Sequence, residues 1–275
     1  MAKVDLTRRV SFSSGHRFWF EALSAEQNRE LFGKWASPYN HGHNYVLDVT
    51  ARGALEARTG MVVNIKEIDD VLQDKVVKRF GQKSINDEID GFADRTPCLE
   101  NLLLYFRDEL RELPGGTELV ALRLEEFPGF YGEWTVEGDQ VTITRSYEFA
   151  ASHRLHDEAL SDEENVRIFG KCNNPNGHGH NYVLEVTVSG DPDPTTGFIT
   201  DMAGIDEAVT EHVLDRYDHK HLNTDVPELV GKNPTSEVVT LEIFKLLDGK
   251  LPGTLERVRI GETPRSSFVV TRGDV

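Results

Sequence analysis

Cysteine is nearly absent from this 275-residue chain: only Cys98 and Cys172 occur, and they are not in C-x-x-C spacing. Two cysteines cannot make a disulfide framework for a chain of this size, so free thiols are expected. Long apolar runs are missing too. No stretch of eighteen apolar residues occurs, and the opening residues, Met1 to Arg9, hold no apolar segment of signal-peptide length, so a soluble, cytoplasmic chain without a membrane partner is expected. Positive charge is scarce, with 30 Lys and Arg against 47 Asp and Glu and a formal net charge of -17. An acidic body repels phosphate polymers, which argues against nucleic acid as a partner, while a small anionic substrate stays compatible with a locally basic pocket.

What is present is a repeat. His41-Gly42-His43-Asn44-Tyr45 recurs as His178-Gly179-His180-Asn181-Tyr182, a shift of 137 residues. The same shift carries His16 to His153, Glu21-Ala22-Leu23-Ser24 to Glu158-Ala159-Leu160-Ser161, and Phe32-Gly33-Lys34 to Phe169-Gly170-Lys171. The chain reads as a tandem duplication with domains 1–137 and 138–275, each long enough to bury its own core.

Each repeat follows the order ββααββ. Apolar alternation predicts strands near 8–13 and 44–50, joined by a polar loop; helical spacing predicts helices over 66–80 and 99–113; strands near 118–124 and 131–136 close the repeat. The turn-type residues 137–140 lead straight into a strand over 141–149, which predicts domains fused side by side. In the second repeat Thr200 or Asp201 can cap one helix, and Thr235 or Ser236 another that stops before Gly249. The fold class expected is α+β, with antiparallel sheets and two helices per repeat.

The repeated histidines carry the first chemical signal. On a strand, alternate side chains share a face, so His178 and His180 aim at one spot about 7 Å apart along the backbone. With His153 they form a three-imidazole set suited to Zn²⁺ with a fourth position open, and His16, His41 and His43 repeat it. A lone histidine would be read as a surface hydrogen-bonding group; a triplet present twice is not. Cys172, six residues before His178 in a Gly/Asn/Pro-rich loop, is placed to bring a thiol beside the metal. Asp218-His219 at a helix end pairs a carboxylate with an imidazole that can exchange protons. Cys98 reads as a small buried residue at a helix start, Glu262 taken alone as a solvated carboxylate, and His156, His212 and His221 as surface residues without repeat counterparts.

Together, Phe149-Ala150-Ala151-Ser152-His153, Cys172-x₅-His178-Gly179-His180-Asn181-Tyr182, Asp218-His219-Lys220-His221-Leu222-Asn223, Pro234-Thr235-Ser236-Glu237 and Glu262-Thr263 resemble the 6-pyruvoyl-tetrahydropterin synthase family and its relative 6-carboxy-tetrahydropterin synthase. The resemblance implies the tunnelling fold, whose ββααββ units assemble through their sheets into a barrel with sites between units. It implies 7,8-dihydroneopterin triphosphate as substrate, loss of triphosphate to give 6-pyruvoyl-tetrahydropterin, and Zn²⁺ as cofactor on His153, His178 and His180. By position, Cys172 resembles the general base, Asp218 and His219 its proton-transfer partners, Glu262 the carboxylate that anchors the pterin ring, and Thr235 and Ser236 pterin contacts. Lys171, Arg154 and Lys220 are the candidates for the phosphates. The resemblance also implies a homo-oligomer, a trimer of two-unit chains or a dimer of such trimers. The first repeat departs from the pattern, with Trp35 opposite Cys172 and Gly81-Gln82 opposite Asp218-His219, while His16, His41, His43 and Glu126 keep their counterparts. It is expected to bind metal without catalysing. The alternatives are a carboxy-tetrahydropterin synthase of deazapurine (queuosine) synthesis and a non-catalytic zinc-containing pterin-binding protein.

Overall fold

Strands β1 (Lys3–His16) and β2 (His41–Ala54) pair antiparallel over their whole length, from Lys3 opposite Ala54 to His16 opposite His41. They belong to a computed structural model that describes residues 2–275 and divides into two compact units, one of residues 2–143 with 190–199, the other of 144–189 with 200–275. In the first unit β3 (Lys83–Ser84) lies parallel to the end of β1, β4 (Glu118–Phe127) pairs with β2, and β5 (Phe130–Thr135) pairs with β4. The order is β3-β1-β2-β4-β5. Phe12, Tyr45, Leu47, Val49, Leu122 and Leu124 form the inward face.

Two helical segments cover that face. The first runs over residues 65–80, and its buried residues Ile68, Leu72, Val76 and Phe80 recur every fourth position. A period of four exceeds the α-helical 3.6, so a regular helix would rotate this row away from the sheet. The π turn Gln73–Val77 absorbs the difference and keeps the row on the core. The second repeat uses the same device: Ile205, Val209, Val213 and Tyr217 are buried, with a π turn at Thr210–Leu214. The helix Leu99–Glu109 adds Leu102, Leu103 and Phe106 to the first core. Burying such a side chain stabilises by roughly 1.5–3 kcal/mol.

The second unit has β6 (Val141–His153, from residue 144 onward), β7 (His178–Ser189), β8 (Lys220–His221), β9 (Thr254–Thr263) and β10 (Ser266–Thr271). They are ordered β6-β7-β9-β10, with β8 parallel to β6. Helices Met202–Val209 and Ser236–Leu247 carry the caps expected at Asp201 and Thr235, whose side chains accept from Ala203 and Val238 amides. The mixed α+β class and the duplicated plan are present in both repeats.

One expectation is corrected. The polar connection after β1 contains a helix, Ala25–Phe32, and the second repeat matches it with Asp162–Phe169. Apolar periodicity could not announce helices that bury so little, but Ser24-x-x-Gln27 and Ser161-x-x-Glu164 are capping boxes, with side chain and backbone satisfying each other in both. Each helix is tied down by one buried asparagine. Asn165 accepts from the Asp157 amide at 2.8 Å and donates to the carbonyls of Asp157, Leu160 and Ser161, and Asn28 does the same around Phe20.

Candidate functional site

His153 ends β6, and His178 and His180 open β7. Their Nε2 atoms converge, His153 to His178 at 3.2 Å and His180 to His153 at 3.4 Å. Close strand approach makes this possible: a Cβ on Gly179 would stand 3.0 Å from the Ala151 carbonyl oxygen, tighter than side chains ordinarily pack, so glycine suits the position between the two histidines. Gly177, at φ +70°, turns the chain into the strand in a conformation that side chains disfavour.

Hydrogen bonding sets the tautomer. His153 Nδ1 lies 2.7 Å from the carbonyl oxygen of Pro234, which can only accept, so Nδ1 holds the proton and Nε2 presents its lone pair. Burial lowers the pKa of His153 and of His180, each with a neighbouring imidazole acting in the same direction, so both stay neutral near pH 7. Three imidazole nitrogens within 4.8 Å of one another form a donor set that could hold a divalent cation. The first unit repeats the set: His16 Nδ1 meets the Pro97 carbonyl at 2.9 Å, its Nε2 is 3.0 Å from His41 Nε2, and His43 completes the cluster. Burial pushes His16 down to about 4.

A carboxylate reaches each cluster. Glu262 Oε1 is 3.1 Å from His180 Nε2, and Glu126 Oε1 is 3.0 Å from His43 Nε2. Glu262 is thus half-buried beside the imidazoles, where its sequence context alone reads as a solvated residue. Burial raises the phenol of Tyr182, and the carboxylate of Glu262 adds to the shift.

Asp218 and His219 follow the helical segment that ends at Tyr217, and the structure joins them: His219 Nδ1 donates to Asp218 Oδ2 at 2.8 Å. Asp218 Oδ1 also accepts the Ala150 amide at 2.8 Å, which fixes the pair against β6. The Ala150 amide and then His219 hold the Asp218 carboxyl below its ordinary range. His219 takes φ 57° and is exposed. With His180, Lys220, His221 and Asp225 it lines a cavity of about 580 Å³, and the matching cavity of the first unit, lined by His43, Gln82 and Lys83, measures about 310 Å³.

Cys172 lies outside that cavity, half-buried in the turn Gly170–Asn173, its carbonyl accepting from the Leu155 amide at 2.8 Å. Thr235 caps its helix and Ser236 is 4% exposed, directly after the Pro234 that orients His153. Of the phosphate candidates, Lys220 lines the cavity, Lys171 is exposed, and Arg154 bonds His156 and Asn173. His156, His212 and His221 are half-buried where the sequence places them at the surface, and His221 lines the cavity. Sequence reasoning missed Asn223, which accepts the Arg154 amide and donates to the Arg154 carbonyl, each at 2.9 Å, pinning the end of β6. Its counterpart Asn86 does the same to Arg17, so the repeat itself held the signal.

Residues 5–135 and again 142–273 match one family model, described as 6-pyruvoyl tetrahydropterin synthase. The chain belongs to that family. It is similar to the 6-pyruvoyl tetrahydrobiopterin synthase of Homo sapiens, 44% identical over 136 residues that make up 49% of this chain and 93% of the relative. The Dictyostelium discoideum protein of the same name is 43% identical over 134 residues, 49% of this chain and 97% of the relative. A 6-carboxy-5,6,7,8-tetrahydropterin synthase of Rickettsia bellii is 28% identical over 122 residues, 39% of this chain and 80% of the relative. Among solved structures, the Caenorhabditis elegans 6-pyruvoyl tetrahydropterin synthase is 43% identical, covers 47% of this chain and 94% of its own, and superposes with a TM-score of 0.45. Each of these relatives aligns with between 39% and 49% of this chain. Among the described residues no helix is long and apolar enough to cross a membrane.

Proposed function

We propose that domain 138–275 is a zinc-dependent lyase that converts 7,8-dihydroneopterin triphosphate to 6-pyruvoyl-tetrahydropterin with loss of triphosphate, and that domain 1–137 holds a metal but does not catalyse. The observation that carries this is the unequal company of two like histidine clusters. Only the second has an Asp–His pair against its strand and a cysteine in the loop before it.

A zinc ion on His153, His178 and His180 supplies a Lewis acid that acidifies C–H and O–H bonds beside a bound oxygen. The Pro234 carbonyl keeps His153 in the ligating tautomer. Asp218 holds the Nδ1 proton of His219, which leaves Nε2 as the atom that takes up and returns protons. Cys172 is the partner base, Glu262 offers its two oxygens to the guanidine-like edge of the pterin, and Thr235 and Ser236 lie along the ring. Lys220 is the cavity's lysine for the anionic tail.

The test is product analysis after incubating the zinc-loaded chain with 7,8-dihydroneopterin triphosphate. Formation of 6-pyruvoyl-tetrahydropterin, with kcat lowered about 10²–10⁴-fold in Cys172→Ala at unchanged metal content, is the expected result. Full turnover by Cys172→Ala overturns the division of labour. The similarity to a 6-carboxy-tetrahydropterin synthase supports a second reading, and a carboxy-tetrahydropterin with released acetaldehyde would select it.

A further inference from the structure

Within the first unit the three imidazoles meet a fourth donor. Glu126 Oε1 lies 3.0 Å from His43 Nε2 and 4.0 Å from His16 Nε2, and His16 Nε2 lies 3.0 Å from His41 Nε2. Zinc bonds of about 2.0–2.1 Å at tetrahedral angles set neighbouring ligand atoms roughly 3.3 Å apart, a value these separations bracket. The contact of Glu126 with His43 is not a hydrogen bond: His43 Nε2 is buried and has no hydrogen-bond partner. Buried polar atoms are nearly always bonded, and a cation between carboxylate and imidazole takes a lone pair from each. The Glu126 side chain is itself only 8% exposed, so water cannot do this work for it.

Aromatic rings wall off the same cluster. Phe18 sits 5.0 Å from the His16 ring and 6.4 Å from the His41 ring, Phe127 sits 6.1 Å from the His43 ring, and Phe198 packs on Phe18 at 5.4 Å. In the second repeat the counterparts of Phe18 and Phe127 are Leu155 and Thr263. There the carboxylate stands further out. Among the described residues Glu262 Oε1 comes within 4.0 Å of one imidazole, His180, and its side chain is 22% exposed. His180 Nε2 is not left alone either, since it faces His153 Nε2 at 3.4 Å. The cavity beside His180 holds about 580 Å³, against about 310 Å³ beside His43.

We infer, on the reading that domain 1–137 holds a metal, that Glu126 is the fourth ligand of that ion. The first centre is then a closed site of three histidines and one carboxylate, while the second keeps a position open. Four protein ligands leave no place for water or a substrate oxygen, which is the arrangement of structural zinc. Such an ion stabilises the fold and cannot polarise a substrate. The first copy is thus silenced at its metal as well as by the missing cysteine, aspartate and histidine.

The experiment titrates azide into the cobalt(II)-loaded full-length chain and follows the visible ligand-field bands, which report coordination at the metal and need no turnover. His153→Ala confines cobalt to the first site and His16→Ala to the second. The expected result is a spectrum indifferent to azide in His153→Ala and one that shifts in His16→Ala. Adding Glu126→Gln to His153→Ala should weaken cobalt binding by more than about 100-fold, beyond the roughly 10–100-fold that a supporting partner of a ligand is worth. It should also make the cobalt, loaded to saturation, respond to azide, a gain that a misfolded site would not give. The same response in both single variants, the same lack of one, or a smaller loss of affinity with Glu126→Gln overturns the inference while leaving a metal in the first domain. A His153→Ala chain that takes up no cobalt overturns the reading beneath it as well.

Discussion

Glu100→Gln tests whether the buried start of the helix Leu99–Glu109 tolerates a carboxylate charge. Glu100 is 4% exposed, and its Oε1 accepts the Ile199 amide at 3.1 Å. Burial raises its pKa; its own amide, the Ile199 amide and the Cys98 thiol offset only part of that cost. A glutamine keeps an oxygen for the Ile199 amide and removes the buried charge, so the variant should be more stable by on the order of 1–2 kcal/mol at pH 7.5. The sign with pH follows from proton counting. The folded-state pKa lies above the unfolded one, so between the two values the folded chain binds more protons, and wild-type stability falls as pH rises through that window and levels off above it. Below the unfolded value both states are protonated, and the advantage of glutamine should shrink to within about 0.5 kcal/mol. Urea unfolding of wild type and variant at pH 4 and pH 7.5 reads the difference; with m of about 2 kcal/mol/M, the midpoint should rise by roughly 0.5–1 M at the higher pH only. A glutamine variant that is less stable at pH 7.5 than wild type would refute the reasoning, because it would mean that the amides hold the carboxylate more strongly than burial opposes it.

Three further outcomes are expected. Elemental analysis of purified protein should find two metal ions per chain, with one lost in His153→Ala and the other in His16→Ala; loss of both from either single change would contradict independent sites. At a free metal concentration near 1,000 times Kd, each filled site adds about 4 kcal/mol, so a chelator should lower the melting temperature of wild type more than that of either variant. Asn165→Ala and Asn28→Ala should each cost about 2–4 kcal/mol by removing the side chain that anchors a short helix, measured by thermal unfolding; a loss below 0.5 kcal/mol would show that the capping boxes suffice.

Much of the fold is legible in the chain because its signals are local or repeated. The long strands, the helices at 65–80 and 99–109, and the caps at Asp201 and Thr235 follow from alternation, helical spacing and capping chemistry. The two short helices were hidden because each is held by a buried polar residue, Asn28 or Asn165, where apolar spacing expects a hydrophobe. The π turns were hidden as well, since a four-residue period reads as an ordinary helix until the sheet beneath it demands that every fourth side chain face inward.

Sequence alone determined the duplication, both histidine triplets and the loss of cysteine, aspartate and histidine from the first copy, because these are matters of residue identity at a constant offset. Only the tertiary structure decided that prolyl carbonyls set the ligating tautomer of His16 and His153, that Glu262 and Glu126 reach the imidazoles, and that Asp218 is pinned to β6 while Cys172 sits in a separate turn. Those relations join residues far apart in the chain. Spacing shows which face a side chain takes, but its partner is set by how strands and helices pack, and that packing gives His178 and His180 their third nitrogen.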